Sequence, residues 1–141
     1  MIRRAEPQDL PEVLALLADA QLPTDGVAEH FDTFFVVDHG SRIIACAGLE
    51  LHGAAALVRS LAVAADMRGL GIGGGVLRRA LYEVRDSDAG VYALTTTAEA
   101  YLARFGFARV PRGLVPQALF ESRELQDACP ASAAVMQWRQ R

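Results

Sequence analysis

The chain has 141 residues, a net charge of -3 and 52% hydrophobic residues, which is typical of one packed domain and too short for two. Its mean hydropathy of +0.18 excludes a disordered chain, and its apolar runs are all shorter than a membrane-spanning helix requires. We see no leader sequence at the amino terminus and no block of positive charge. We therefore expect a cytoplasmic protein that binds neither a membrane nor nucleic acid.

The basic residues and the cysteines exclude several kinds of chemistry. All fourteen basic residues are arginines, so Schiff-base formation through lysine and a phosphate-binding P-loop lysine are both excluded. Cys46 and Cys129 are too few and too far apart to indicate a zinc site or a disulfide framework. We predict two reduced thiols and no metal site.

The first half of the chain predicts two helices and an antiparallel meander. A short strand at Met1 to Arg4 precedes a helix that Asp9 caps, and a second, short helix covers Thr24 to His30. The segments "FFVVD", "RIIACAGLEL" and "AALVRSLAV" then read as three strands, joined by the turns "HGS" and "HGA". His52 lies in the second turn, where we expect it to be exposed.

The second half alternates helices and strands. Apolar residues recur at helical spacing from Val76 to Val84, "VYALT" is a short strand, and "TAEAYLARFGF" is a helix that ends at Gly106. A strand–helix–strand crossover then places Ala62 to Val63 beside and parallel to Val91 to Thr95. Near the carboxyl terminus we predict a short helix at Gln117 to Ser122 and a last strand at Ala134 to Trp138.

The segment "RGLGIGGGVL" carries five glycines in ten residues, at the start of the helix that follows the meander. Free amides at a helix amino terminus bind a diphosphate through hydrogen bonds and the helix dipole, and Arg68 adds a full positive charge. The alternative is a plain glycine-rich turn with a surface arginine. Gly69, Gly71 and Gly74 also satisfy G-x-G-x-x-G, but three antiparallel strands precede them and the next strand ends in "LTTT", which disfavours a dinucleotide fold.

"SLAVAADMRGLGIGGGVL" resembles the acyl-CoA-binding segment of the GNAT superfamily of N-acetyltransferases, in which Arg68, Gly71 and Gly73 match the family pattern. "VYALTTTAEAYLARFGF" looks like the strand and helix that follow it in that family. The resemblance implies an α/β domain with a mixed, mostly antiparallel sheet. Two central parallel strands of that sheet separate as a V, and helices flank it. It is also compatible with a homodimer.

By that resemblance the cofactor is acetyl-CoA, which serves as the acetyl donor without a metal. Its diphosphate would bind the glycine-rich loop, its pantetheine arm would lie along the strand before the loop, and Thr96 stands where many relatives have an asparagine that contacts the pantetheine. The implied cofactor-binding residues are Leu61, Ala62, Val63, Arg68, Gly69, Leu70, Gly71, Ile72, Gly73, Gly74 and Thr96.

Acetyl transfer needs a base for the ammonium substrate and a proton donor for the leaving thiolate. The family often supplies the donor from a tyrosine four residues before its Gly-Phe pair, where this chain has Leu102. Tyr101 is one residue earlier, about 100° away on a helix, and is either the donor or a packed aromatic. Thr97 or water is the other candidate donor. Glu50 lies within an apolar strand, where burial would raise its pKa and make it a base, unless it faces solvent.

The candidate substrate-binding residues are Arg59, Ser60 and Thr95. Arg59 could hold a substrate carboxylate through two hydrogen bonds, or could be a surface or ion-paired arginine. Thr95 ends a buried strand, where it could contact a ligand or cap the next helix.

"LTTTAEAYLARFGF" is similar to a segment of glutamate acetyltransferases, although Thr97 replaces their arginine. The whole chain looks most like the ArsN-type acetyltransferases of arsenic-resistance operons. The resemblance implies transfer to the amino group of a small amino acid or a similar, arsenic-containing compound. The alternatives are a larger amine or a peptide amino terminus, and a non-catalytic acyl-CoA-binding module.

Overall fold

The computed structural model describes residues 1–128 and 130–139 of the chain, so Cys129 lies outside the described residues. Seven strands form one sheet with the spatial order β1-β2-β3-β4-β5-β7-β6. The strands are β1 Ile2–Arg4, β2 Phe34–His39, β3 Arg42–His52, β4 Ala55–Val63, β5 Val91–Thr95, β6 Phe107–Arg109 and β7 Ala134–Trp138. All neighbouring strands are antiparallel except β4 and β5, which are parallel. The predicted mixed, mostly antiparallel sheet is confirmed.

In the described part of the chain, three α-helices and several shorter helical turns connect the strands. The helices are α1 Leu10–Asp19, α2 Ile72–Glu83 and α3 Glu99–Ala103. The 3-10 helices are Pro7–Asp9, Ala28–Thr33, Ala65–Met67, Arg112–Leu114 and Gln117–Glu121, and Glu124–Ala128 is a π-helical turn. None of the described helices has both the length and the apolar composition needed to cross a membrane.

Helices cover both faces of the sheet, which explains why strand β2 is a continuous apolar run. Phe35 and Val37 pack in the cluster that contains the apolar face of α2. Phe34 and Val36 point to the opposite face and pack with residues of α1. Because successive strand residues alternate between faces, a strand buried on both faces carries hydrophobic residues at every position.

Several predicted elements are confirmed and several boundaries are wrong. The three strands of the meander, strand β5 and strand β7 have the predicted positions, and Gly40 and Gly53 occupy the predicted hairpin turns with φ angles of 68° and 64°. The second helix is a 3-10 helix at Ala28–Thr33 rather than a helix at Thr24 to His30. The helix α3 is shorter than the predicted helix after β5, because Arg104 to Gly106 form a turn that leads into β6, a strand the sequence did not predict.

Asp9 precedes α1 as predicted, but its carboxylate does not cap that helix. It accepts hydrogen bonds from the Glu6 amide at 2.7 Å and from the Arg3 guanidinium at 2.8 and 3.1 Å. The hydrogen bond from Arg3, which outweighs the effect of burial, lowers the pKa of Asp9. The carboxylate therefore fixes β1 and the turn before α1 to one another.

Candidate active site

A cleft opens where β4 and β5 separate. The two strands pair only from Ala56 to Val58, against Val91 to Ala93, so the predicted pairing of Ala62 and Val63 with β5 is wrong. Between Arg59 and Ala62, strand β4 has one residue more than β3, and Ser60 has a φ angle of 60°. This is a β-bulge, which bends the bulged strand. The sheet thus contains the predicted V-shaped split between its two parallel strands.

The cleft has a volume of about 1100 Å³ and extends from the split to the start of α2. Of the predicted cofactor-binding residues, it is lined by Leu61, Ala62, Val63, Arg68, Gly69, Gly71, Ile72, Gly73, Gly74 and Thr96. Leu70 is not among the lining residues, and its side chain is 67% exposed. The structure therefore brings together all of the predicted cofactor site except the Leu70 side chain.

The glycines of the loop serve different purposes. Gly69 and Gly71 have φ angles of 81° and 80°, which disfavour any residue with a side chain, and a Cβ at either would meet open space. A Cβ on Gly73 would instead lie 3.1 Å from Val63 Cγ2 and 3.2 Å from the Tyr101 hydroxyl oxygen. Gly69 and Gly71 are therefore required by the backbone conformation of the loop, and Gly73 is required by close packing inside α2.

The start of α2 presents free amides to the cleft. The first hydrogen bond of the helix joins the Gly75 amide to the Gly71 carbonyl at 3.2 Å, so the amides before Gly75 have no partner within the helix. Three arginines line the same region, namely Arg68, Arg78 and Arg104. All three are exposed and form no ion pair within the part of the chain that the structure describes. Positive charge and free amides at this end of the cleft suit an anionic ligand.

Tyr101, rather than Leu102, presents a polar group to the cleft. Leu102 is 5% exposed and packs in the main core. The Tyr101 ring lies 5.1 Å from the Phe105 ring, and its hydroxyl approaches Gly73. The substitution at the usual tyrosine position therefore leaves a phenol in the cleft, one residue earlier on α3.

The three threonines after β5 also line the cleft. Thr95 Oγ1 accepts a hydrogen bond from the Ala98 amide at 2.8 Å, but Ala98 is itself the residue before α3, so this bond fixes the turn and does not cap the helix. Thr96 and Thr97 are exposed at the cleft wall. Both side chains are therefore accessible from the cleft.

Glu50 does not fit the base predicted from the sequence. Its side chain is fully buried and is absent from the cleft lining. Oε2 accepts a hydrogen bond from Arg59 Nη1 at 2.6 Å, and Oε1 lies 2.8 Å from His52 Nε2. Burial raises the pKa of Glu50, but the hydrogen bonds from His52 and Arg59 outweigh it and lower the pKa. The predicted increase in the pKa of Glu50 is wrong, because the sequence did not show that His52 and Arg59 would donate hydrogen bonds to its carboxylate.

Arg59 is an ion-paired arginine, the second of the two roles that the sequence left open. Besides the bond to Glu50, its Nε donates to Ser60 Oγ at 2.9 Å and lies 3.3 Å from Glu124 Oε2, and its Nη2 donates to the Pro23 carbonyl at 3.2 Å. All three nitrogens thus have acceptors within the protein. This arrangement does not support the predicted carboxylate clamp, although both Arg59 and Ser60 line the cleft.

Two further findings concern residues that the sequence placed wrongly or missed. His52 is 8% exposed and ends strand β3, so the predicted exposed turn position is wrong. Glu124 is 4% exposed and is the acidic residue among those that line the cleft in the described structure. The sequence did not indicate it, because the region from Pro111 to Pro130 lacks a clear hydrophobic period.

Cys46 is buried and unpaired, as predicted. Burial raises the pKa of its thiol to about 12, so the thiol stays protonated and unreactive.

The fold and the site define an α/β protein with a cleft between two separating parallel strands, which extends to the glycine-rich start of a helix and to three arginines. Residues 30–109 match the family described as acetyltransferase (GNAT) domain. Because this match spans more than half of the chain, the protein belongs to the GNAT acetyltransferase family.

One curated relative is an uncharacterized N-acetyltransferase of Chlorobaculum tepidum, which is 25% identical over 97 residues. The match covers 68% of this chain and 63% of that protein, so the chain spans less than two thirds of the relative's length.

Several solved structures share the fold. Rv2747 of Mycobacterium tuberculosis, solved with CoA and a ligand named NLQ, has 22% identity and a TM-score of 0.82, covering 100% of this chain and 99% of its own. N-acetylglutamate synthase of Neisseria gonorrhoeae, solved with coenzyme A and N-acetyl-glutamate, has 19% identity and a TM-score of 0.83, covering 100% of this chain and 35% of its own. Diaminobutyrate acetyltransferase of Paenibacillus lautus, solved with its substrate L-2,4-diaminobutyric acid and coenzyme A, has 18% identity and a TM-score of 0.59, covering 74% and 70%.

Proposed function

We propose that the protein is an acetyl-CoA-dependent N-acetyltransferase that transfers the acetyl group directly to the amino group of a small amino acid or an amino-acid-like compound. The observation that carries this proposal is the cleft at the split between β4 and β5, which ends at the free amides of α2 and three exposed arginines. The diphosphate of the donor binds at these amides, and the pantetheine arm lies along Leu61 to Val63. Family membership supports the acetyl donor.

Glu124 takes the role of general base in this proposal. It is the buried carboxylate of the described cleft lining, and the neighbouring Arg59 holds it in place. When bound, acetyl-CoA supplies the acetyl group as a thioester. Glu124 accepts a proton from the substrate ammonium, so that the nitrogen lone pair forms the new C–N bond while the C–S bond breaks. Tyr101 donates a proton to the leaving sulfur, and Thr97 or water is the alternative donor.

The substrate class rests on the neighbouring structures and on the resemblance to the ArsN-type enzymes. The synthase was solved with N-acetyl-glutamate and the diaminobutyrate enzyme with an amino acid. Amino-acid-like arsenicals are included because of the sequence resemblance. The guanidinium of Arg59 already donates its hydrogen bonds to groups of the protein. The panel of amine substrates must therefore test whether a substrate carboxylate affects turnover. A cytoplasmic location and a homodimer remain predictions. Size-exclusion chromatography tests the homodimer.

The test measures the release of free CoA thiol with a panel of amine substrates, some of which differ from one another in a single group. Glutamate, methionine, methionine amide and phosphonic or arsonic analogues are offered to the wild type, to Glu124→Gln and to Glu29→Gln, an exposed glutamate that serves as the control. We expect turnover with acids, a loss of roughly a hundredfold or more in Glu124→Gln, and wild-type rates in the control. The loss in Glu124→Gln should shrink at high pH, where the amine is already neutral.

Each alternative has its own outcome in this assay. Binding of acetyl-CoA without turnover of any amine would identify a non-catalytic acyl-CoA-binding module. Preference for methionine amide or for peptides over free acids would identify an enzyme for larger amines. Full activity of Glu124→Gln at neutral pH would show that Glu124 is not the base.

A further inference from the structure

A second cluster of polar side chains lies outside the cleft, on the other side of Arg59. It consists of His30 from the 3-10 helix before β2 and of Glu50 and His52 from β3. Glu50 and His52 are two residues apart on one strand, so their side chains share a face of the sheet. Glu50 Oε1 lies 2.8 Å from His52 Nε2 and 3.6 Å from His30 Nε2. The three atoms all lie within 4.8 Å of one another.

We propose that His30, Glu50 and His52 bind one divalent transition-metal ion, of which Zn²⁺ is the probe of choice. Zn²⁺ bonds to imidazole nitrogen and carboxylate oxygen are about 2.0–2.2 Å long, so tetrahedral ligand atoms stand about 3.3 Å apart. The two distances from Glu50 Oε1 bracket that value. The ligand atoms of the two histidines lie no more than 4.8 Å apart, so movement of the partly exposed His30 ring closes the three atoms around one ion. Two imidazoles and one carboxylate are a ligand set that suits zinc, cobalt, nickel and iron.

The ligands have the outer partners that metal sites use. His52 Nδ1 faces Glu121 Oε1 at 3.5 Å, and Glu50 Oε2 accepts the hydrogen bond from Arg59. A carboxylate behind a metal-binding histidine fixes its ring and leaves the other nitrogen for the ion. In the metal-free protein, His52 can donate its Nε2 proton to Glu50. Binding of the ion at Nε2 requires the tautomer with its proton on Nδ1, where Glu121 can accept it.

The charge of the surroundings favours a dication. Glu50 and Glu124 both pair with the guanidinium of Arg59, which leaves one negative charge in excess when the histidines are neutral. Glu50 is fully buried, so this excess is poorly screened by water. The His30 side chain is 25% exposed and gives an ion access from solvent.

The test is a titration of tag-free protein, stripped of metal by a chelator, with Zn²⁺ and Co²⁺. We expect one ion per chain and a visible Co²⁺ spectrum that Zn²⁺ abolishes. The variants are His30→Gln and His52→Gln, and the matched control is His39→Gln, which changes the remaining histidine at the end of β2. The first two should lower the Zn²⁺ affinity at least a hundredfold, and the control should leave it unchanged. Glu121→Gln should lower it roughly tenfold.

His30 is the less buried of the two histidine ligands, so His30→Gln tests the site even if His52→Gln fails to fold. Equal Zn²⁺ affinity of the wild type and His30→Gln, or no saturable binding by the wild type, would overturn the proposal. The acetyl-transfer assay does not enter this test, so failure of the metal site leaves the proposed function untouched.

Discussion

The ion pair between Glu50 and Arg59 should contribute far more to stability than an exposed pair of similar geometry. The perturbation is Glu50→Gln, which keeps the size of the side chain and removes its charge. Both side chains of the pair are 0% exposed and lie 2.6 Å apart. The comparison is Asp66→Asn, because Asp66 and Arg42 lie 2.7 Å apart but are 63% and 51% exposed.

The magnitude follows from burial. Removing one partner of a buried pair costs about 3–5 kcal/mol, because the remaining charge stays desolvated. Glu124, 3.3 Å from Arg59, still offsets part of that charge, so we expect the lower end, about 3 kcal/mol. For a domain of this size that corresponds to a decrease in Tm of roughly 10 °C. Asp66→Asn should leave Tm nearly unchanged, since exposed pairs contribute little.

The assay is urea unfolding followed by far-UV circular dichroism, with a chelator present so that no metal contributes. The urea midpoint of Glu50→Gln should fall while the slope stays constant, which reports stability rather than a changed denatured state. The double variant Glu50→Gln, Arg59→Gln should be less destabilised than the sum of the two single variants. If Glu50→Gln costs no more than Asp66→Asn, the reasoning from burial is wrong.

Three other predictions concern the cleft and the amino terminus. Gly71→Ala and Gly40→Ala both place a side chain at a positive φ angle in open space. Both variants should therefore lose about 1–2 kcal/mol of stability. Only Gly71→Ala should also weaken CoA binding, roughly tenfold as measured by calorimetry. Asp9 has a lowered pKa, so its contribution to stability is present above its ordinary pKa of 3.8 and is lost as the pH falls through the lowered value; Asp9→Asn should flatten the acid limb of a plot of Tm against pH. Tyr101→Phe should reduce kcat without changing KM or Tm, whereas Leu102→Ala should lower the stability by about 2–5 kcal/mol. If Tyr101→Phe has a normal kcat, the proton for the leaving thiolate comes from Thr97 or from water.

The sequence predicted those parts of the fold that depend on local pattern. Strand β7 and the meander follow from short apolar runs between turns, and α2 follows from helical spacing after the glycines. Strand β6 was missed because Phe107–Arg109 is three residues long and exists only through its pairing with β7. The position of the β4–β5 pairing was wrong because register depends on contacts between distant segments, which no local pattern contains.

The same distinction separates the two halves of the candidate site. The cofactor end is one continuous segment whose glycines are visible in the sequence, and its residues line the cleft nearly as predicted. The acceptor end is assembled from the segment after α1, from β4 and from the turn that begins at Glu124. Whether a carboxylate there is a base or a structural partner depends on which charges face it. Glu50 and Glu124 both pair with Arg59, but only Glu124 also lines the cleft, and no local sequence pattern shows this.

The bulge at Ser60 connects these observations. An extra residue in β4 bends that strand away from β5, and this opens the space that a pantetheine arm needs. The left-handed backbone conformation of Ser60 costs roughly 1 kcal/mol. Ser60 Oγ accepts a hydrogen bond from Nε of the neighbouring Arg59. The buried pair with Glu50 then anchors β4 to β3 at the point where β4 loses its other neighbour. The charge network therefore stabilises the sheet where the cleft weakens it, and it also holds Glu124 at the cleft wall.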